Sequence, residues 1–108
     1  MELRIVIIGA GEVGFNLAKS LSRENHDITV IDIDPQKCSR VKNNLDSHVI
    51  EGDGASQRLL ETIDMKKVDY LLALTRIDEV NLVCSRISKK MGAKRVICRL
   101  RNTEYMHK

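Results

Sequence analysis

The chain has 108 residues, 43% hydrophobic and 31% charged, a balance that fits one small globular domain and excludes a disordered chain. The formal net charge of +3, from 18 basic and 15 acidic residues, is too mild for a nucleic-acid binder, whose basic residues cluster on one face. No apolar run approaches the roughly 18 residues needed to cross a bilayer, and Met1 leads directly into Glu2 and a strand-like run rather than a secretory leader. The expected location is therefore cytoplasmic, with no direct membrane insertion.

Leu3 to Ile8 is a short apolar run ending at Gly9, and it reads as a buried parallel strand. Val13, Leu17, Ala18 and Leu21 then recur at helical spacing. Asp27 to Asp32 is β-branched and reads as a second strand. Asp34 followed by Pro35 is the signature of a helix cap and a first helical residue, and Cys38, Val41 and Leu45 mark one face of that helix. Ser47 to Glu51 is a weaker third strand, broken by Gly52-Asp53-Gly54. Ser56 can cap a short helix carrying Leu59, Leu60 and Ile63, and Val68 to Leu74 is a fourth strand. Asp78 opens a long helix with Val80, Val83, Cys84, Ile87 and Met91 expected on its inner face. Lys89 and Lys90 suit the negative end of that helix and Gly92 supplies a left-handed stop. Arg95 to Leu100 is the fifth strand.

Strands alternating with helices imply an α/β fold: a Rossmann-like, doubly wound parallel sheet with right-handed crossovers and strand order 3-2-1-4-5. Residues 1–108 then form a single nucleotide-binding domain. A six-strand version needs one more helix and strand. Asn102 to Lys108 reads as the start of that helix, consistent with a truncated sixth strand and a fragment of a longer chain. Cys38, Cys84 and Cys98 are odd in number, widely spaced and without a Cys-x-x-Cys pair, so they read as three small buried residues rather than a metal or redox site. His26, His48 and His107 are scattered, and no catalytic triad or metal-ligand cluster is legible.

Gly9-Ala10-Gly11-Glu12-Val13-Gly14 fits G-x-G-x-x-G in the context that gives the motif meaning: after a strand, opening a helix, with a second strand beyond. Gly9 allows the tight turn, Gly11 lets a pyrophosphate approach the backbone, and Gly14 permits close packing of helix and strand. Unpaired N–H groups at the helix N-terminus suit phosphate. Asp32 ends the second strand, where a carboxylate accepts from both ribose hydroxyls and repels a 2′-phosphate, favouring NAD over NADP. Asp53 and Gly54 sit on the ligand-binding edge; Asp53 either meets an adenine amino group or forms an Asx-turn. Thr75 and Arg76 lie beside the topological switch point, facing phosphate or the second ribose, or else only leading into the next helix. Arg99 ends the fifth strand, near the ligand's far half or simply solvated.

The segments Ile7 to Gly14, Val30-Ile31-Asp32, Glu51 to Ser56, Thr75 to Asn81, Val96 to Arg99 and Asn102 to Tyr105, in that order, resemble the N-terminal KTN or RCK (TrkA-N) domain of Trk/Ktr-type potassium-uptake regulators across essentially the whole chain. The Gly-Asp-x-x-Ser loop and the Thr-x-x-Asp-Glu-x-Asn segment are the more specific parts. The resemblance implies a non-enzymatic cytoplasmic regulatory subunit, peripheral to the membrane. It implies a homo-oligomer, dimer or ring, attached to an integral-membrane potassium transporter. It also implies NAD(H), or alternatively ATP or ADP, as ligand. By position it puts Gly9, Ala10, Gly11, Glu12 and Val13 at the pyrophosphate, Asp32 at ribose, and Thr75, Arg76 and Arg99 at further ligand contacts. Gly54 departs from the alanine of many members, a change expected to be tolerated. The last strand and the C-terminal ligand domain of many members are missing.

The helix from Asp78 and the tail after Arg99 are candidate subunit contacts, suggested by Asn81 and by the apolar Tyr105-Met106. A competing reading makes the chain the cofactor half of an NAD-dependent oxidoreductase. Such an enzyme needs an acid, base or metal from a substrate domain, and the cofactor fold uses up this sequence.

Overall fold

A computed structural model describes residues 1–102 and 104. The elements run β1 (Arg4–Ile8), α1 (Glu12–Arg23), β2 (Asp27–Asp32), α2 (Pro35–Asn44), β3 (His48–Glu51), α3 (Gln57–Leu60), a 3-10 turn (Met65–Lys67), β4 (Tyr70–Ala73), α4 (Asp78–Lys90) and β5 (Arg95–Cys98). The five strands form one parallel sheet ordered β3-β2-β1-β4-β5. Because that order reverses beside β1, the strand ends there diverge and leave a crevice on the carboxyl edge.

Alternation along β1 builds the two halves of the core. Val6 and Ile8 face the layer holding Leu60, Met65 and Cys84, whereas Ile5 and Ile7 face Phe15, Ala18 and Val41. Successive strand residues point to opposite faces, so a strand buried on both sides reads as the unbroken apolar run seen in the sequence. Helices thus cover both faces of the sheet. On one of them the Arg40 guanidinium lies 3.8 Å from the centre of the Phe15 ring. The far edge of β1 is tied down by Asp69, whose carboxylate accepts from the Arg4 amide at 2.8 Å and from Lys94 Nζ at 3.2 Å.

The caps obey their chemistry. Asp34 accepts from the Gln36 amide, with Pro35 at the first helical position, and Ser56 accepts from the Leu59 amide. Gly92 has φ +109° at the end of α4.

Several boundaries and faces differ from the sequence reading. The ladder of β4 begins at Tyr70 rather than Val68, because the Val68 amide closes the 3-10 turn onto Met65. β5 ends at Cys98 rather than Leu100, since the Arg99 amide makes the last bond to β4, at Ala73. Val13 and Val83, expected inside, are exposed. In α1 the inward stripe is Gly14, Phe15 and Ala18; in α4 it is Asn81, Cys84 and Ser88. Hydrophobic spacing does not register a glycine, an asparagine and a serine as buried positions. Cys38 and Cys84 are buried but Cys98 is only half-buried, which corrects the expectation for all three. Burial pushes the Cys84 thiol up to about 11, so it stays a neutral core group.

Candidate functional site

The crevice over the carboxyl ends of β1, β2 and β4 has a volume of about 500 Å³. Its floor is the turn between β1 and α1. Gly9 takes φ +104°, which L side chains rarely adopt, and its amide donates to Ile31 O at 2.8 Å. A Cβ added at Gly14 would lie 1.8 Å from the Gly9 carbonyl oxygen, so the missing side chain is what lets α1 sit on the turn. Gly11 is different. It is the N-cap of α1 with φ −73°, a conformation open to any residue, and a Cβ there would meet nothing within 4 Å. Neither backbone nor packing requires glycine at this lining position.

Asp32 faces the turn across the crevice. Its Oδ2 accepts from the Ala10 amide at 2.7 Å and its Oδ1 from the Asp34 amide at 2.8 Å. An ionised carboxylate has about four acceptor positions, so one further bond remains open at each oxygen. The same side chain therefore shapes the glycine turn and keeps capacity toward the crevice it lines.

Of the sequence-derived candidates, Gly9, Gly11, Glu12, Val13, Asp32, Asp53, Gly54, Thr75, Arg76 and Arg99 line this one space. Ala10 and Gly14 do not: both are buried behind the turn, where Ala10 contributes its amide to Asp32. Asp53 forms an Asx-turn, with Oδ1 accepting from the Ala55 amide at 2.9 Å, while still lining the crevice. An alanine at Gly54 would put its Cβ 2.3 Å from Cγ2 of the buried, β-branched Ile8. In this chain an alanine there would require Ile8 to move, and the glycine leaves that space free. The Thr75 hydroxyl is engaged with Asn81 Oδ1 at 2.7 Å and with the backbone of Ile77.

Sequence reasoning missed Lys37, Ile33, Ile77 and Arg101 as lining residues. Arg101 was within reach, since it follows Arg99 by two and an extended chain repeats its facing at that interval. Ile33, 69% exposed, and Ile77 add exposed apolar side chains to a lining that also includes Val13, Leu74 and Val80.

Also missed were the two side chains that fix the arginine-bearing wall. Asp78, 8% exposed, accepts from the Arg101 amide at 2.9 Å and the Asn102 amide at 2.7 Å. Asn81, 0% exposed, accepts from the Thr75 amide and hydroxyl and donates to the carbonyls of Thr75 and Arg99. Asn81 is thus no subunit-contact residue, and Tyr105 and Met106 lie outside the described residues.

Those two amides hold the Asp78 carboxyl below its ordinary value of 3.8, assisted by the charges of Arg101 and Arg99 and opposed by desolvation. A lowered folded value means that this contribution is complete above the unfolded value and is lost as pH falls through the folded one. The amide proton shifts of Arg101 and Asn102 should hold steady from about pH 7 to about pH 5 and move only in the more acid range. Movement near neutrality, tracked by NMR, would show that another group holds them.

A family model of the TrkA-N domain matches residues 5–108. The chain belongs to the TrkA-N domain family. One relative of this TrkA-N domain is the "Trk system potassium uptake protein TrkA homolog" of Archaeoglobus fulgidus, 45% identical over 104 residues, which are 96% of this chain and 23% of the relative. The chain thus spans about a quarter of that relative's length. Two solved structures show the same fold at low identity. The "GsuK channel bound to NAD" has a TM-score of 0.72 at 15% identity, covering 90% of this chain and 21% of its own. The "Kef CTD in AMP bound form" of Shewanella denitrificans has a TM-score of 0.72 at 21% identity, covering 87% of this chain and 56% of its own. No helix among the described residues of the TrkA-N domain is long and apolar enough to cross a membrane, and they contain no group of three or more His, Cys, Asp or Glu placed to hold a metal ion.

Proposed function

We propose that this domain binds NAD(H) and, as a non-enzymatic regulatory module, couples nucleotide occupancy to potassium uptake through a membrane-embedded Trk/Ktr-type transporter. The observation that carries the binding reading is Gly11. Neither its φ nor its packing requires glycine, and a ligand that must come close to the backbone accounts for it. Pyrophosphate suits that position, because the first amides of α1 are unpaired and at the positive end of the helix. The open acceptor positions of Asp32 suit a ribose diol and disfavour a 2′-phosphate. Ile33 offers an apolar side to the adenine, with Asp53 and Gly54 at its edge. Arg76, Arg99 and Arg101 supply positive charge on the β4–β5 side for the rest of a dinucleotide.

The transport role rests on the family and on the name of the Archaeoglobus relative. In this reading the protein is cytoplasmic, peripheral to the membrane through its partner, and assembled as a dimer or larger ring. A nucleotide moves such an assembly only by binding two of its states unequally, with coupling of about 1–3 kcal/mol typical.

An adenine mononucleotide reading, with ATP or ADP as the signal, is favoured by one observation: a structural neighbour carries AMP. Calorimetric titration of NADH, NAD, ATP and ADP separates the two. NADH or NAD should bind at least as tightly as ATP. Asp32→Ala removes charge-assisted bonds worth about 1.5–3 kcal/mol each, so the preferred nucleotide should weaken by roughly 10- to 100-fold. Binding of ATP alone overturns the dinucleotide, and hydride transfer to a small substrate revives the oxidoreductase.

A further inference from the structure

Asp78 and Asn81 direct six hydrogen bonds, yet neither side chain lines the crevice. All six end on Thr75, Arg99, Arg101 or Asn102. Three of those residues line the crevice. The bonds cross between two separate pieces of chain, the loop after β4 and the segment after β5. Past the Arg99 amide, which donates to Ala73 O, no strand ladder among the described residues holds that second segment, so its path depends on side chains. A buried asparagine is costly unless its polar atoms are paired, and Asn81 meets that condition through these two segments.

We propose that Asp78 and Asn81 are positioning residues for the half of the ligand lying over β4 and β5: they hold Thr75, Arg99 and Arg101 in register without touching the nucleotide. This rests on the dinucleotide reading above. The sheet order separates two halves of the crevice, with Asp32 and the Gly52–Gly54 loop on the β2–β3 side and the arginines on the β4–β5 side. AMP needs only the first half; NADH spans both. Loss of the clamp therefore discriminates between the two ligands, whereas a general loosening of the fold does not.

The test is calorimetric titration of NADH and of AMP into the full chain, in wild type, Asp78→Asn, Arg101→Ala and the double variant. Asp78→Asn keeps an acceptor oxygen but brings an NH₂ group against a backbone donor. It should raise the Kd for NADH about ten-fold and that for AMP less than about two-fold. Arg101→Ala should do the same, and the double variant should be little worse than either single one, because neighbours acting through one another are non-additive. Asp78→Ser, which keeps one small acceptor, serves if the asparagine variant does not fold. Equal weakening of both ligands, no weakening of NADH, or additive effects would overturn the positioning role while leaving nucleotide binding standing. Wild type that bound neither ligand would remove both.

Discussion

Gly14→Ala should destabilise the domain by about 2 kcal/mol or more, a fall in Tm of roughly 10 °C. Two effects oppose each other. Alanine is the better helix former and gains about 1 kcal/mol in a helix interior. Against this, the new Cβ would sit 1.8 Å from the Gly9 carbonyl oxygen and 2.9 Å from its carbon. Both are backbone atoms, on a residue whose φ of +104° and bond to Ile31 leave it little freedom. Overpacking of a dense interior costs about 1–3 kcal/mol and sometimes more, and a rigid backbone neighbour puts this case at or beyond the upper end. The penalty exceeds the propensity gain. Thermal melts monitored by circular dichroism decide it, and a Tm within about 3 °C of wild type would show that α1 slides without strain.

Gly11→Ala should do the reverse: leave stability within about 0.5 kcal/mol of wild type and weaken NADH by about 100-fold or more. Its φ of −73° suits alanine, and the added methyl would meet no protein atom within 4 Å. In the proposed complex it would meet the pyrophosphate. Pushing that group away lengthens two or more charge-assisted bonds to backbone amides, each worth about 1.5–3 kcal/mol, and about 2.7 kcal/mol is already 100-fold. Wild-type affinity in this variant, measured by calorimetry alongside the melt, would mean that nothing approaches the turn closely. The two substitutions are the same chemical change three residues apart. Only the surroundings of each Cβ assign one to folding and the other to recognition.

What the sequence made legible was whatever repeats at a short interval or depends on one residue's own chemistry. The β-branched runs, the Asp34-Pro35 cap and the glycine turn are of that kind, and the strand order came from alternation. Asp32 was legible as a carboxylate at the crevice, the proposed ribose partner, but its bracing of the turn through the Ala10 amide was not. Asp78 and Asn81 stayed hidden for a related reason. Their partners lie as far as 24 and 18 residues along the chain, and a buried polar side chain carries no hydrophobic signal. Asp78 read as a helix opener and Asn81 as a surface residue; each is instead defined by the strand end it grips. Val13 and Val83 were misplaced by the converse error, since an apolar residue at the right spacing can still lie beside the buried stripe.

The tie between the Arg4 amide and Asp69 spans 65 residues. β1, at the centre of the sheet, is synthesised first, yet one of its two neighbours, β4, arrives only after most of the domain has been made. Until then the chain can assemble β1, β2 and β3 with their helices, but one flank of the most apolar strand stays open. Long-range closures of this kind slow folding and leave unpaired strand edges prone to association with other chains. The vulnerable period in the life of this domain is therefore the interval on the ribosome before Tyr70 to Ala73 emerges.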